Sequence, residues 1–129
     1  MTPKHVRGLR GAITVEHDEP ALVLAATRRL LAELQAKNHF DPDDIVSALF
    51  TVTPDIVSEY PGAAVRRIGW TLVPVLNFVE IDVPGRLARC IRVLLHVHTA
   101  MTPAEMRHVY LEGAAVLRPD FVQHTAAHR

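Results

Sequence analysis

The sequence predicts an α+β fold, a mixed α/β sandwich in which one mixed β-sheet carries one long and one short helix. Three observations predict it. CIRVLLHVHT, residues 90–99, places Ile91, Val93, Leu95 and Val97 at a strict period of two, the mark of a strand with one buried face. Between residues 21 and 37, Val23, Ala26, Leu30, Leu31 and Leu34 recur near the 3.6-residue period of an amphipathic helix. Along the chain, such segments follow one another as strand, helix, strand, short helix, strand, strand.

Each element has its own local cause. Residues 5–16 alternate small or apolar side chains with polar ones, and Val6, Ile13 and Val15 favour extended backbone, so they read as the first strand. Asp18 offers an N-cap for the long helix, with Glu19 and Pro20 in its first turn and Asn38 as its stop. IVSALFTVT, residues 45–53, is apolar on both faces and predicts a strand that is central or covered on both sides. A short helix runs from Pro61 to Ile68, stops at Gly69 and carries Arg66 and Arg67. WTLVPVLNF, residues 70–78, is the third strand, and Pro74 assigns it to a sheet edge or a bulge. IDVPGRL is a loop around a Pro84-Gly85 turn, and residues 101–120 mix helix and strand signals. One long helix is thin cover for a sheet of about four or five strands, so sheets from several copies are expected to pack together.

Composition narrows the function. The 129 residues suit one domain spanning 1–129, without repeats, low-complexity tracts or linkers. Fourteen basic side chains balance fourteen acidic ones, and 4 Phe, 2 Tyr and 1 Trp offer little stacking surface, so a nucleic-acid partner is not expected. No stretch approaches the ~18 apolar residues of a membrane span. MTPKHVRGLRG has positive charge but no apolar core behind it, so no signal peptide is read and a cytoplasmic location is the default. The lone Cys90 cannot form an internal disulfide.

Three constellations carry possible chemistry. His96 and His98 share a strand face and, with His108 or Glu80, sketch a metal site, but no cysteine or carboxylate stands at a tight ligand spacing. The bland reading, structural histidines and no metal, is the stronger one. Cys90 near histidines suggests a nucleophile, but a cysteine within a buried strand is ordinarily an inert small hydrophobe. RGLRG lacks the spacing of a phosphate loop. The arginines are more informative: Arg7, Arg10, Arg66, Arg67, Arg92, Arg107 and Arg118 lie in or beside apolar elements. Any one of them has a salt bridge or a snorkelling stem as its plain explanation. As a set they suggest a pocket for a small molecule with more than one carboxylate, which planar guanidinium forks grip bidentately. Arg92 poses the sharpest question, because a charge that cannot be shed needs a partner inside an apolar strand.

Several segments together, VRGLRGAITVEHD, FTVTPDI, YPGAAVRRIGW, VPVLNFVEIDVPG, CIRVL and RHVYLEGAAVLRPD, resemble the AroH-class chorismate mutases, the small monofunctional type, over about residues 6–120. The resemblance implies a homotrimer with a pseudo α/β barrel core and active sites between adjacent subunits. It implies rearrangement of chorismate to prephenate, a pericyclic Claisen shift in phenylalanine and tyrosine biosynthesis that needs no cofactor, metal or nucleophile. Matched position by position, Arg92 is the cation that faces the ether oxygen of the substrate, and Glu80 hydrogen-bonds the ring hydroxyl. Arg10 grips a carboxylate and contacts the reacting region, while Tyr110 donates to a carboxylate. Arg66 and Arg118 guard the cleft entrance, Tyr60 is an aromatic wall from the neighbouring subunit, and Leu117 is an apolar contact near the tail. Leu76, Asn77, Phe78 and Val79 line the floor up to Glu80.

The sequence departs from that pattern in places. Asn77 stands where well-known members carry cysteine, Ala63 replaces a lysine, and the RRIGW turn is one residue shorter than in some relatives. FVQHTAAHR, residues 121–129, is expected to be a flexible tail, long enough to reach over the site. Two other readings stay open. A noncatalytic trimer would bind chorismate or prephenate without turnover, and an imine or enamine deaminase with interfacial clefts would release ammonia.

Overall fold

The alternation in CIRVLLHVHT becomes β4 (Cys90–Thr99), the middle strand of a five-stranded sheet. A computed structural model of the chain describes residues 2–117. In chain order the elements are β1 (His5–Thr14), α1 (Pro20–Asn38), a 3₁₀ turn (Pro42–Asp44), β2 (Ile45–Val52), α2 (Ala63–Arg67), β3 (Val75–Val79), β4, β5 (Val109–Leu111) and a second 3₁₀ turn (Glu112–Val116). The strands lie in the order β3-β2-β4-β1-β5. β4 is antiparallel to both β1 and β2, β3 is parallel to β2, and β5 is parallel to β1, so the sheet is mixed as expected.

One face of this sheet carries the core. Ile91, Val93, Leu95 and Val97 of β4 join Leu9 and Ile13 of β1, Ala48 and Phe50 of β2, and Val23, Leu30, Leu31 and Leu34 of α1, all buried. Burying a leucine or valine of this kind contributes about 1.5–3 kcal/mol, so this layer supplies most of the folding drive. Among the described residues neither α1 nor α2 packs over the other face, where the second 3₁₀ turn reaches Ala12, Cys90 and Tyr110 through Ala114. Leu76 and Phe78 are 58% and 47% exposed there, and the residues of β2 facing that side, Leu49 and Thr51, are only half-buried. Of the two alternatives expected for β2, the central position holds, since it lies between β3 and β4, whereas cover on both faces is not found within one chain.

The remaining differences have identifiable causes. Asp18 does not cap α1: Glu19 takes the N-cap position without a side-chain bond, and the Asp18 carboxylate accepts from the backbone N–H groups of Val57 (2.9 Å) and Ser58 (3.2 Å). Two distant donors outcompete the local helix end, and Pro20 at the helix start removes one donor that a cap would have served. α1 closes at its other end through His39, whose left-handed φ of 53° lets its N–H reach the Gln35 carbonyl. The β1–β4 ladder ends at Thr14 and Cys90; beyond it Arg89, at φ 49°, accepts the Val15 N–H on its carbonyl and donates from Nε to the Val15 carbonyl. Residues 70–74 are not strand. Trp70 instead turns inward, 5% exposed, and meets the Phe40 ring edge-on at 6.0 Å, leaving Pro74 just ahead of the edge strand β3. α2 is shorter than 61–68, with the turn beginning at Pro61 and ending at Gly69, which adopts φ 91°.

Candidate active site

Strand register sets the site before any side chain does. Phe78 pairs with Thr51, Thr51 with Arg92, Arg92 with Ala12, and Ala12 with Tyr110, so these residues form one row across all five strands on the uncovered face. Neighbouring strands are ~4.8 Å apart, which puts the backbones of Arg92 and Tyr110 about 10 Å from each other. The side chain between them is a methyl group. Ala12 is itself only 1% exposed, packed with Cys90, Tyr110 and Ala114, and Arg10 lies on the same face one step along β1, with its neighbour Leu94 on β4.

Arg92 finds the counter-charge that its position demands. Its Nε lies 3.0 Å from Glu80 Oε2, and the same oxygen accepts a hydrogen bond of 2.5 Å from Thr51 Oγ1. The Nε contact is an ion pair whose angle lies outside hydrogen-bond geometry. Glu80 reaches this position because its N–H continues the β3 pairing onto the Val52 carbonyl, which keeps it on the parity of Phe78. With 9% of its side chain exposed, Glu80 is shielded, and so is Arg92 at 23%. A second cation, Arg86, approaches the other carboxylate oxygen at 3.5 Å. Partly buried charges of this kind contribute little to stability, because the loss of water offsets their attraction. They organise the site.

Cys90 lies on the same face, fully buried with Ala12, Tyr110 and Ala114, and Leu87 and Leu117 pack against this group. Burial pushes its thiol up to about 11, with Glu80 acting in the same direction and the Arg92 guanidinium opposing. At neutral pH it is a thiol and no nucleophile. His96 Nδ1 is 2.7 Å from Ser47 Oγ, and His108 Nδ1 accepts the Arg10 backbone N–H at 2.9 Å. Among the described residues no three His, Cys, Asp or Glu side chains gather as a metal-holding group. Arg7 Nε donates to the Met101 carbonyl, so it serves the fold.

A second group stands apart within one chain. Tyr60 (68% exposed), Ala63, Arg66 and Asn77 line a recess of about 420 Å³ beside α2. Asn77 pairs with the buried Phe50 and so has the parity opposite to Leu76 and Phe78, directed toward α2. Its Oδ1 accepts the Gly62 N–H at 2.9 Å, which ties β3 to the start of the helix that carries Arg66. The approach is close enough that a Cβ on Gly62 would lie 2.5 Å from Val75 Cγ1, so glycine is required there. Tyr60 and Arg66 are thus not assembled with Arg92, Glu80 and Tyr110 in a single chain. Val79 is 69% exposed, and Arg118, with the tail from 121 to 129, lies outside the described residues.

Thr51, Arg86 and Ala12 were not singled out in the sequence. Thr51 and Ala12 had a signal in principle, since their parity within β2 and β1 matches the parity of Arg92 once the register is known.

Comparison with known proteins bears directly on this arrangement. Residues 6–121 match the family model described as chorismate mutase type I. The chain is 46% identical over 116 residues to chorismate mutase AroH of Bacillus subtilis (strain 168), covering 89% of this chain and 91% of that protein. Identity to chorismate mutase AroH of Thermus thermophilus is also 46% over 116 residues, covering 89% and 95%. A solved chorismate mutase from Clostridium thermocellum superposes with a TM-score of 0.84 at 44% identity, covering 85% of this chain and 98% of that one. Sequence and fold agree, and the chain belongs to the chorismate mutase type I family.

Proposed function

We propose that this chorismate mutase, a single domain over 1–129, rearranges chorismate to prephenate without a cofactor, in clefts between the subunits of a cytoplasmic homotrimer. The observation that carries the proposal is the shielded Arg92–Glu80 pair, which shares a row with Tyr110 across the methyl of Ala12. The rearrangement breaks a C–O bond and forms a C–C bond in one step, so no proton or covalent intermediate has to be handled. Negative charge builds on the ether oxygen, and a fixed guanidinium at Arg92 is paid no reorganisation cost for meeting it. Glu80 accepts from the ring hydroxyl and balances positive character in the ring. Arg10 and Tyr110 hold the carboxylates so that the compact reactive conformer is bound.

Magnitudes require this division of labour. One preorganised donor is worth about 3–4 kcal/mol. Enzymatic accelerations begin near 10⁶-fold, about 8 kcal/mol, so the cation and the conformer-holding groups are both needed.

The trimer is supported by two features of the single chain. Val6, Leu76 and Phe78 leave the site face apolar and about half exposed, and Tyr60 and Arg66 stand in a separate recess that a neighbouring copy would complete. In that assembly Arg66 and Arg118 draw in the dianion, Tyr60 and Leu117 wall the ring, and the segment from Leu76 through Asn77, Phe78 and Val79 forms the floor. No helix among the described residues is long and apolar enough to cross a membrane.

The direct test is to follow the ultraviolet absorbance of chorismate with purified protein. Consumption well above the buffer rate, with prephenate as product, is expected, and a rate equal to buffer refutes the proposal. Light scattering coupled to size exclusion is expected to give the mass of three chains.

A further inference from the structure

Glu80 is held by more than the residue that it is paired with, and the second cation comes from a loop. After β3 the chain leaves the sheet: Ile81 is 81% exposed, the Val83 N–H returns to the Ile81 carbonyl at 3.0 Å, and Pro84-Gly85 turns the backbone, with Gly85 at φ 83°. That turn sends Arg86 back toward the strand end. Its Nη1 donates to the Ile81 carbonyl at 2.7 Å, and its Nη2 lies 3.5 Å from Glu80 Oε1. The guanidinium thereby closes the loop and reaches the carboxylate with the same fork.

We propose that Arg86 is a positioning residue for the rearrangement: it shares the charge of Glu80, so that Arg92 retains positive potential toward the substrate. This rests on the functional reading above. A one-to-one pair would have Glu80 cancel the cation meant for the ether oxygen. Two guanidiniums about one carboxylate leave the cluster with net charge +1; Glu80 is only 9% exposed, while Arg86, at 32%, acts from the rim, where water screens part of its charge. The hold is also geometric. Oε2 is held by Thr51 and Arg92, while Oε1, which makes no hydrogen bond, has the Arg86 guanidinium as its charge contact at 3.5 Å.

The test is a double-mutant cycle on the full chain with chorismate as substrate. Arg86→Met keeps the apolar stem and removes the charge; kcat is expected to fall about tenfold, with a smaller change in KM and an unchanged melting temperature. Arg86→Lys is expected to recover most of the loss. In a Glu80→Gln background, Arg86→Met is expected to cost less than twofold, because the group through which it acts is gone. Equal losses in both backgrounds, or full activity of Arg86→Met, would overturn the inference while leaving the activity of the parent intact. A parent protein without turnover would remove the functional reading first, and this inference with it.

Discussion

The two faces of one sheet differ more than any two elements of this protein. On the helix side β4 presents Ile91, Val93, Leu95 and Val97, each at most 3% exposed, in contact with α1 and β2. On the other side the same ten residues present Arg92, Leu94, His96 and His98, none of them fully buried. A period of two assigns burial to one face and the proposed chemistry to the other, and the residues of the two faces are adjacent in sequence. The lesson is that neighbours along β4 should fail in different ways when changed.

The largest effect is expected at Arg92. Arg92→Lys keeps a positive charge but loses the planar fork, so kcat should fall by about 10³-fold or more while the melting temperature and the mass in solution stay unchanged. Activity within tenfold of the parent would break the comparison from the chemical side. Leu95→Ala, on the opposite face, should do the reverse. Removing a fully buried leucine costs about 2–5 kcal/mol of stability, read by denaturant unfolding, with kcat close to the parent in the protein that remains folded.

A smaller effect sharpens the boundary at Cys90, which belongs to the site face but is buried like a core residue. Its thiol is raised from its ordinary 9.0 to about 11 in the folded chain, so the unfolded state gives up its proton first. Stability contributed by the protonated thiol is full below pH 9 and is lost as pH rises through 11. Comparing pH-dependent unfolding of the parent with Cys90→Ala should show this alkaline loss in the parent only, about 2–3 kcal/mol across the window. A parallel pH dependence would mean that the thiol is accessible in the native state.

The smallest effect is expected at Asp18, far from both faces. Its carboxyl is held below its usual range by the Ser58 side chain and the Val57 N–H, and it anchors the segment leading to Tyr60. A lowered carboxylate supports the fold at neutral pH and loses that contribution as pH falls through its folded value. Asp18→Ala should raise KM a few-fold with little change in kcat, because it loosens the Tyr60 segment and leaves the Arg92 row alone. A fall in kcat with KM unchanged would show that this segment is tied to the chemistry itself.

Legibility in the sequence followed the range of the forces involved. The strand at 90–99 and the helix over 21–37 were readable because their periods are set by backbone geometry within a few residues. Arg92 was readable as a charge in need of a partner, and the structure supplies Glu80 at 3.0 Å. Trp70 and Asp18 were misread for one reason. Each has a plausible local role, in a strand and at a helix cap, and each found a better partner about thirty or more residues away in sequence.

By itself, the sequence determined the element order, the mixed α+β class, the apolar face of β4 and the motif set that marks the family. Those depend on side-chain pattern and on local backbone preference. Only the tertiary structure decided the register that sets Thr51, Arg92, Ala12 and Tyr110 in one row, the return of Arg86 to Glu80, and the separation of Tyr60 and Arg66 from that row. A one-residue slip between strands would send each of those side chains to the other face. The register is held by the burial of the opposite face, so the core of this protein is what aims the row proposed to carry its chemistry.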